Sequence, residues 1–322
     1  MTMPAGPRNG PDSAARPLWP DGKRFAFSIF DDPDSQTRDA GVAVYEFLAD
    51  LGLRTTKGVW PNAPHRQPSD HGETCGNSSY VDWVLSLQAR GFEVGYHNAT
   101  SHTSDREHTA SALDTFARLF GHYPVTMSNH YYCHEGIYFT EDRLTGAHRL
   151  AYRALTLCRR RNMSFGHREG HPLFWGDLCR RHVRYVRNFT YADVNTLSVC
   201  PFMPYHDPAR PYVNFWFAST EAPNLRVFLQ RVTDAALDRL EERGGACILY
   251  VHFGHGYAPG GQLDETFRRR MERLSRKAGW FVPVGQLLDH LRSRNGAHHI
   301  EARQRARLEQ RWLLQKLRGG TA

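Results

Sequence analysis

Four short runs in this 322-residue chain place acid–base or metal-ligating side chains directly after an apolar stretch. Asp31-Asp32-Pro33-Asp34 follows Phe25-Ala26-Phe27-Ser28-Ile29-Phe30, and His97, with His102 five residues on, follows Phe92-Glu93-Val94-Gly95-Tyr96. Asn129-His130 follows Val125-Thr126-Met127-Ser128, and His252 follows the apolar run 246–251. Adjacent carboxylates repel, so a pair of them calls for a cation or hydrogen-bond donors. A divalent ion on one would leave the other to take a proton from an attacking water. The plainer reading of Asp-Asp-Pro-Asp is a turn with a helix cap. Two histidines and a carboxylate make the N,N,O set of a catalytic zinc-type site, which nickel, cobalt, manganese or iron also suits. An imidazole at 252, beside Gly254 and Gly256, is suited to protonate a leaving amine near neutral pH. The alternative for His252 is a hydrogen-bonded core histidine.

The elements that must position these residues alternate. Strands are expected at 24–30, 55–60, 92–96, 125–128, 183–189, 212–218, 246–251 and 280–284. Helices are expected at 42–51, 81–90, 105–120, 224–243, 263–278 and 285–293. Glycines at 52, 91, 121 and 244–245 close several of the helices. The stretch 130–180 shows no clear pattern. This order predicts an α/β fold, a distorted (β/α) barrel of about seven strands. In such a barrel the ends of parallel strands converge on one mouth, so the four runs would meet there.

Composition bounds the remainder. Apolar residues make up 40% and charged residues 23%, a globular mix. No run reaches the ~18 apolar residues of a membrane span. The start of the sequence lacks the apolar stretch of a secretory signal, so a cytoplasmic location and reduced cysteines are expected. The net charge of +8 would suit an anionic substrate. It is equally a solvated basic surface, and no nucleic-acid motif accompanies it. Three segments are expected: a flexible arm over 1–22, a catalytic barrel over 23–296, and a basic C-terminal helix over 297–322. Leu308, Trp312 and Leu317 would pack that helix on the body, or alternatively meet a partner or a second copy.

Phe27-Ser28-Ile29-Phe30-Asp31-Asp32 resembles the first motif of the NodB-type polysaccharide deacetylases, Gly91–His97 the approach to the second, and Ile248–His252 the end of the fifth. The resemblance spans roughly residues 24–292. It implies a metal-dependent amide hydrolase that removes an N-acyl group, N-acetyl foremost, from a small amino sugar, glycoside or sugar nucleotide. It assigns Asp31 as base, Asp32 and His97 as metal ligands and His252 as general acid. The family spaces its two histidines four apart, so His102 serves as third ligand only with a one-residue bulge. His130 is the competitor for that place, or a substrate contact together with Asn129. The Arg-x-Pro-Tyr motif that would orient the base is replaced by Ser128-Asn129-His130-Tyr131, and Arg187, Asn188 and Asp193 stand near the fourth motif by position.

Overall fold

A computed structural model describes residues 19–319. Most of the expected N-terminal arm, residues 1–18, lies outside the described residues. Ten strands occur in them: β1 (Phe25–Asp31), β2 (Thr56–Val59), β3 (Glu93–Tyr96), β4 (Thr126–Met127), β5 (Tyr185–Tyr191), β6 (Tyr205–His206), β7 (Phe215–Glu221), β8 (Ala246–Val251), β9 (Gly279–Phe281) and β10 (His298–His299). Every residue of β1 is buried, as expected of a parallel strand covered on both faces. Seven strands run parallel in the order β1-β2-β3-β4-β5-β7-β8, and β8 pairs back with β1 to close a barrel. Strand β9 adds beside β1, and β6 and β10 extend outward from β7.

Helix starts follow capping chemistry. Thr37, Asn77 and Asp105 accept backbone N–H groups at the heads of Arg38–Asp50, Ser78–Ala89 and Arg106–Phe120. The single helix expected over 224–243 is two, Leu225–Arg231 and Asp234–Glu242. Thr233 interrupts it, because its hydroxyl accepts from Ala236 N and starts a new helix. No helix among the described residues is long and apolar enough to cross a membrane.

Strand alternation decides what reaches the barrel interior. Phe30 points inward, where the absence of side chains on Gly58 and Gly95 leaves room for its ring. Beneath it the Glu93 carboxylate accepts hydrogen bonds from Thr56 Oγ1 (2.6 Å), Thr126 Oγ1 (2.9 Å) and Gly285 N (2.8 Å). At the other extremity of the chain, the C-terminal helix Ala302–Gly319 lies against β5 and the helix Gly146–Leu155. Leu308 and Trp312 are buried as its spacing suggests, whereas Leu317 is exposed and Leu313 takes its place inside. Trp19, within the stretch expected to be an arm, is buried and donates from Nε1 to Gly244 O at 2.9 Å.

A Cβ on Gly95 would lie 2.8 Å from Phe30 Cζ and 3.0 Å from Thr56 Cγ2. Gly95→Ala should therefore cost about 1–3 kcal/mol through overpacking, read as a lower midpoint in urea with an unchanged slope. An unchanged midpoint would mean that the Phe30 ring gives way freely.

Candidate active site

Asp31 and Asp32 are neighbours on an extended strand, so they face opposite sides of it. Asp31 turns outward, beneath the helix Arg38–Asp50. Its Oδ2 accepts from Tyr45 OH (2.8 Å) and Gln36 Nε2 (3.0 Å), and its Oδ1 accepts from Phe253 N (2.8 Å). Lys57 Nζ is 3.7 Å from Oδ2, and both side chains are fully buried. Burial raises the Asp31 carboxyl and lowers the Lys57 ammonium, and their mutual attraction opposes both shifts. The base position implied by the resemblance thus falls on a carboxylate that lies outside the cavity.

Asp32 turns inward. Arg187 on β5 grips it with both terminal nitrogens, Nη1 to Oδ1 at 3.2 Å and Nη2 to Oδ2, and Ser128 Oγ donates to Oδ1 at 2.7 Å. Burial would raise this carboxyl, but Arg187 and His97 bring it below the ordinary value. Arg187, reached in sequence by position alone, is thus the arginine that meets Asp32.

The metal-type cluster forms around Asp34, which sequence reading treats only as part of a turn. His97 Nε2 is 3.2 Å from Asp34 Oδ1, and His130 Nε2 is 3.5 Å from Asp34 Oδ2. These three side chains are the one group among the described residues whose donor atoms converge closely enough for an ion. Asp34 Oδ1, His97 Nε2 and His130 Nε2 are all buried without a hydrogen-bond partner. Such orphaned groups are costly unless something binds them. The far nitrogens explain their orientation. The Ser128 hydroxyl proton is given to Asp32, so Ser128 Oγ accepts from His97 Nδ1–H at 2.6 Å. Cys133 donates to Thr100 O and faces His130 Nδ1 at 3.4 Å. Both rings thereby direct Nε2 toward Asp34, the usual arrangement behind ligating imidazoles. Burial would raise Asp34, yet the two histidines hold it well below the usual carboxylate range. An N,N,O donor set of this kind fits a divalent cation.

His102 stands apart from this cluster. Asn98, directly after His97, has a left-handed backbone (φ 63). The chain then runs back along the 61–69 loop, with Asn62 N bonded to Ala99 O and Ser69 N to Ser101 O. No helix starts until Arg106, so helical spacing does not apply between 97 and 102. His102 Nε2 accepts from His65 N and Nδ1 donates to Thr103 O, which occupies both nitrogens. Asn98 instead positions His130, accepting its N–H at 2.7 Å while donating to Glu135.

A cavity of about 340 Å³ opens over the cluster. Asp32, Asp34, His97, Arg187, Asn188 and His252 line it, with aromatic walls from Tyr131, Tyr132, Phe139 and Trp312. His252 donates from Nδ1 to Pro223 O (2.8 Å) and accepts at Nε2 from Tyr250 OH (3.0 Å). That Nε2 lies 3.6 Å from Asp34 and 4.0 Å from Asp32, and burial lowers its pKa. Asn129 lines the cavity too, but its amide is spent bridging to the backbone of Ile137, and Asn188 donates to Tyr205 OH. Asp193, by contrast, lies at the surface in an ion pair with Arg311.

No family model matches the chain, and no curated protein does. Solved structures do. A Mycobacterium smegmatis protein assigned as a polysaccharide deacetylase aligns over 93% of this chain and 98% of its own, at 12% identity and a TM-score of 0.51. The fold is that of the NodB-type deacetylases. The peptidoglycan deacetylase PdaC of Bacillus subtilis aligns over 85% of this chain and 94% of its own, at 14% identity and a TM-score of 0.40. A Bordetella bronchiseptica protein assigned as a polysaccharide deacetylase of O-antigen biosynthesis aligns over 91% and 93%, at 16% identity and a TM-score of 0.37. Within this barrel the carboxylates of residues 32 and 34 face inward, and His130, just past the end of β4, meets His97 there.

Removing one member of a buried ion pair strands the other. Asp31→Asn should destabilise the fold by about 3–5 kcal/mol, and Asp31→Asn combined with Lys57→Met should recover part of that loss in thermal unfolding. Zinc content of the folded Asp31→Asn protein should equal that of the parent. Loss of zinc with unchanged stability would return Asp31 to the site.

Proposed function

We propose that the chain is a metal-dependent hydrolase that removes an N-acyl group, acetyl foremost, from an amino sugar. The observation that carries this reading is the trio of partnerless buried donors on Asp34, His97 and His130, set beside an arginine-held carboxylate and a histidine in one cavity. The barrel's likeness to the Mycobacterium smegmatis protein supports a carbohydrate amide as substrate. So does a cavity whose walls alternate aromatic rings with polar groups.

Asp34, His97 and His130 would hold the cation, zinc foremost. When bound, it supplies Lewis acidity toward the amide carbonyl and acidifies the attacking water. Asp32 is the base. Arg187 and Ser128 keep it ionised and fix both its oxygens, so it is ready to accept a proton without reorganising. His252 is the acid for the departing nitrogen. Its Nδ1–H is tied to Pro223 O, which leaves Nε2 as the exchangeable position. A neutral His252 must first gain a proton, and Asp32 Oδ2, 4.0 Å away, is placed to pass on the one it has taken. The base and acid thus stand side by side at the ends of paired strands β1 and β8.

Acetate release from N-acetylated amino sugars by the zinc-loaded protein tests the reading. Asp32→Asn should retain zinc and lose about 10²–10⁴-fold in kcat, the usual worth of general-base catalysis. His252→Asn should also retain zinc and slow amides more than activated esters, whose leaving groups need no proton. No release from any N-acylated sugar by a zinc-loaded, folded protein would refute the assignment.

A further inference from the structure

The cavity extends past the catalytic groups to a cation that the mechanism does not use. Arg143, at the end of the short helix Thr140–Arg143, lines the cavity and is 7% exposed. Its guanidinium lies over two rings, 4.4 Å from the centroid of Phe139 and 5.1 Å from that of Trp312 on the C-terminal helix. Its one hydrogen bond runs from Nη1 to Asn188 O at 3.3 Å, and buried Nε has no partner. No carboxylate among the described residues pairs with it, whereas the other arginine of the inner wall, Arg187, is fully matched by Asp32. Burial, with Arg187 adding repulsion, draws the Arg143 pKa down to about 10, the behaviour of a buried cation left without a counter-charge.

The neighbouring charges do not make up the deficit. Lys316 also faces the cavity, and Glu221 is engaged by it at 3.0 Å and 3.2 Å and by Gln315. Arg160 lies over the Tyr131 ring at 4.6 Å, again without a carboxylate among the described residues. Asp32 and Asp34 are held by Arg187 and the histidines. The wall formed by Arg143 and Arg160 therefore carries an excess positive charge, under a low dielectric that strengthens it. The planar guanidinium of an arginine matches the oxygens of a carboxylate or phosphate, and among the described residues no carboxylate pairs with that of Arg143.

We infer that Arg143, assisted by Arg160, forms an anion subsite that receives a carboxylate or phosphate carried by the sugar whose N-acyl group sits over Asp34, His97 and His130. This rests on the proposed deacetylase reading for the identity of the sugar, but not for the subsite itself. Contact with the two rings holds the guanidinium in place, so the subsite is preorganised and selects an anionic substituent at one place on the substrate.

Calorimetric titration of the full chain with N-acetylglucosamine, N-acetylglucosamine 1-phosphate and N-acetylglucosaminuronic acid tests it, with acetate followed in parallel. At least one anionic sugar should bind about tenfold or more tightly than the neutral one, in keeping with a charge-assisted hydrogen bond. The tighter of the two tells phosphate from carboxylate. Arg143→Met should abolish the preference and Arg143→Lys should keep part of it. Arg160→Ala, at a partly exposed position, should weaken the preference without touching the fold. Equal binding of neutral and anionic sugars by the parent protein, or a preference that survives in Arg143→Met, overturns the subsite. Tight anionic binding without acetate release upholds the subsite and counts against the deacetylase reading. Release from the neutral sugar as efficient as from the anionic ones does the reverse.

Discussion

Three carboxylates within four residues, Asp31, Asp32 and Asp34, are all largely removed from water at the end of one strand. Ionised together in a low dielectric they would repel strongly, and the arrangement of the site follows from how each is relieved. Strand alternation sends Asp31 outward, where Lys57, Tyr45, Gln36 and the Phe253 N–H surround it. Asp32 goes inward to Arg187 and Ser128. Asp34, one turn further past Pro33, meets His97 and His130, and its remaining need is the one that a cation would satisfy. The same charges that endanger the fold are thereby each given a different set of partners.

The separation depends on elements far apart in the chain. Ser128 at the end of β4 links His97 to Asp32, so the two side chains share one hydroxyl. The Phe253 N–H that fixes Asp31 directly follows His252, which couples the outward carboxylate to the cavity histidine. Closure of the barrel by β8 against β1 is what brings these pieces within reach. The C-terminal helix then adds Trp312 and Lys316 to the cavity wall, so it shapes the cavity as well as covering the barrel.

Much of this was legible in the residues. Runs of Phe, Ile, Val and Tyr marked the parallel strands to within a few positions, because strands buried on both faces read as continuous apolar stretches. That charged groups follow those runs located the mouth of the barrel, and His97 and His252 stand where that reasoning put them. The pair Asp31-Asp32 resembles the deacetylase motif, yet the two-residue period of an extended chain sends 31 and 32 to opposite faces, and Asp34, in the turn after β1, is the carboxylate that meets His97 and His130. His102 was expected to converge through a one-residue bulge after His97, whereas Asn98 turns the chain along the 61–69 loop. The region 130–180 had no period to read, since its turns are held by individual bonds such as Asn129 to Ile137 and Trp175 Nε1 to Glu135 O. The meeting of Arg143 with Trp312, 169 positions later in the numbering of the chain, leaves no local trace at all.

The division of labour among the three aspartates is tested most directly by a crystal structure of the zinc-loaded protein, with the ion located by its anomalous scattering. The account predicts one peak bounded by Asp34 and by Nε2 of His97 and His130, at about 2.0–2.1 Å from each nitrogen, with Arg187 still on Asp32 and Asp31 still on Lys57. A peak coordinated by Asp32 and His102, with His130 turned away, would contradict it.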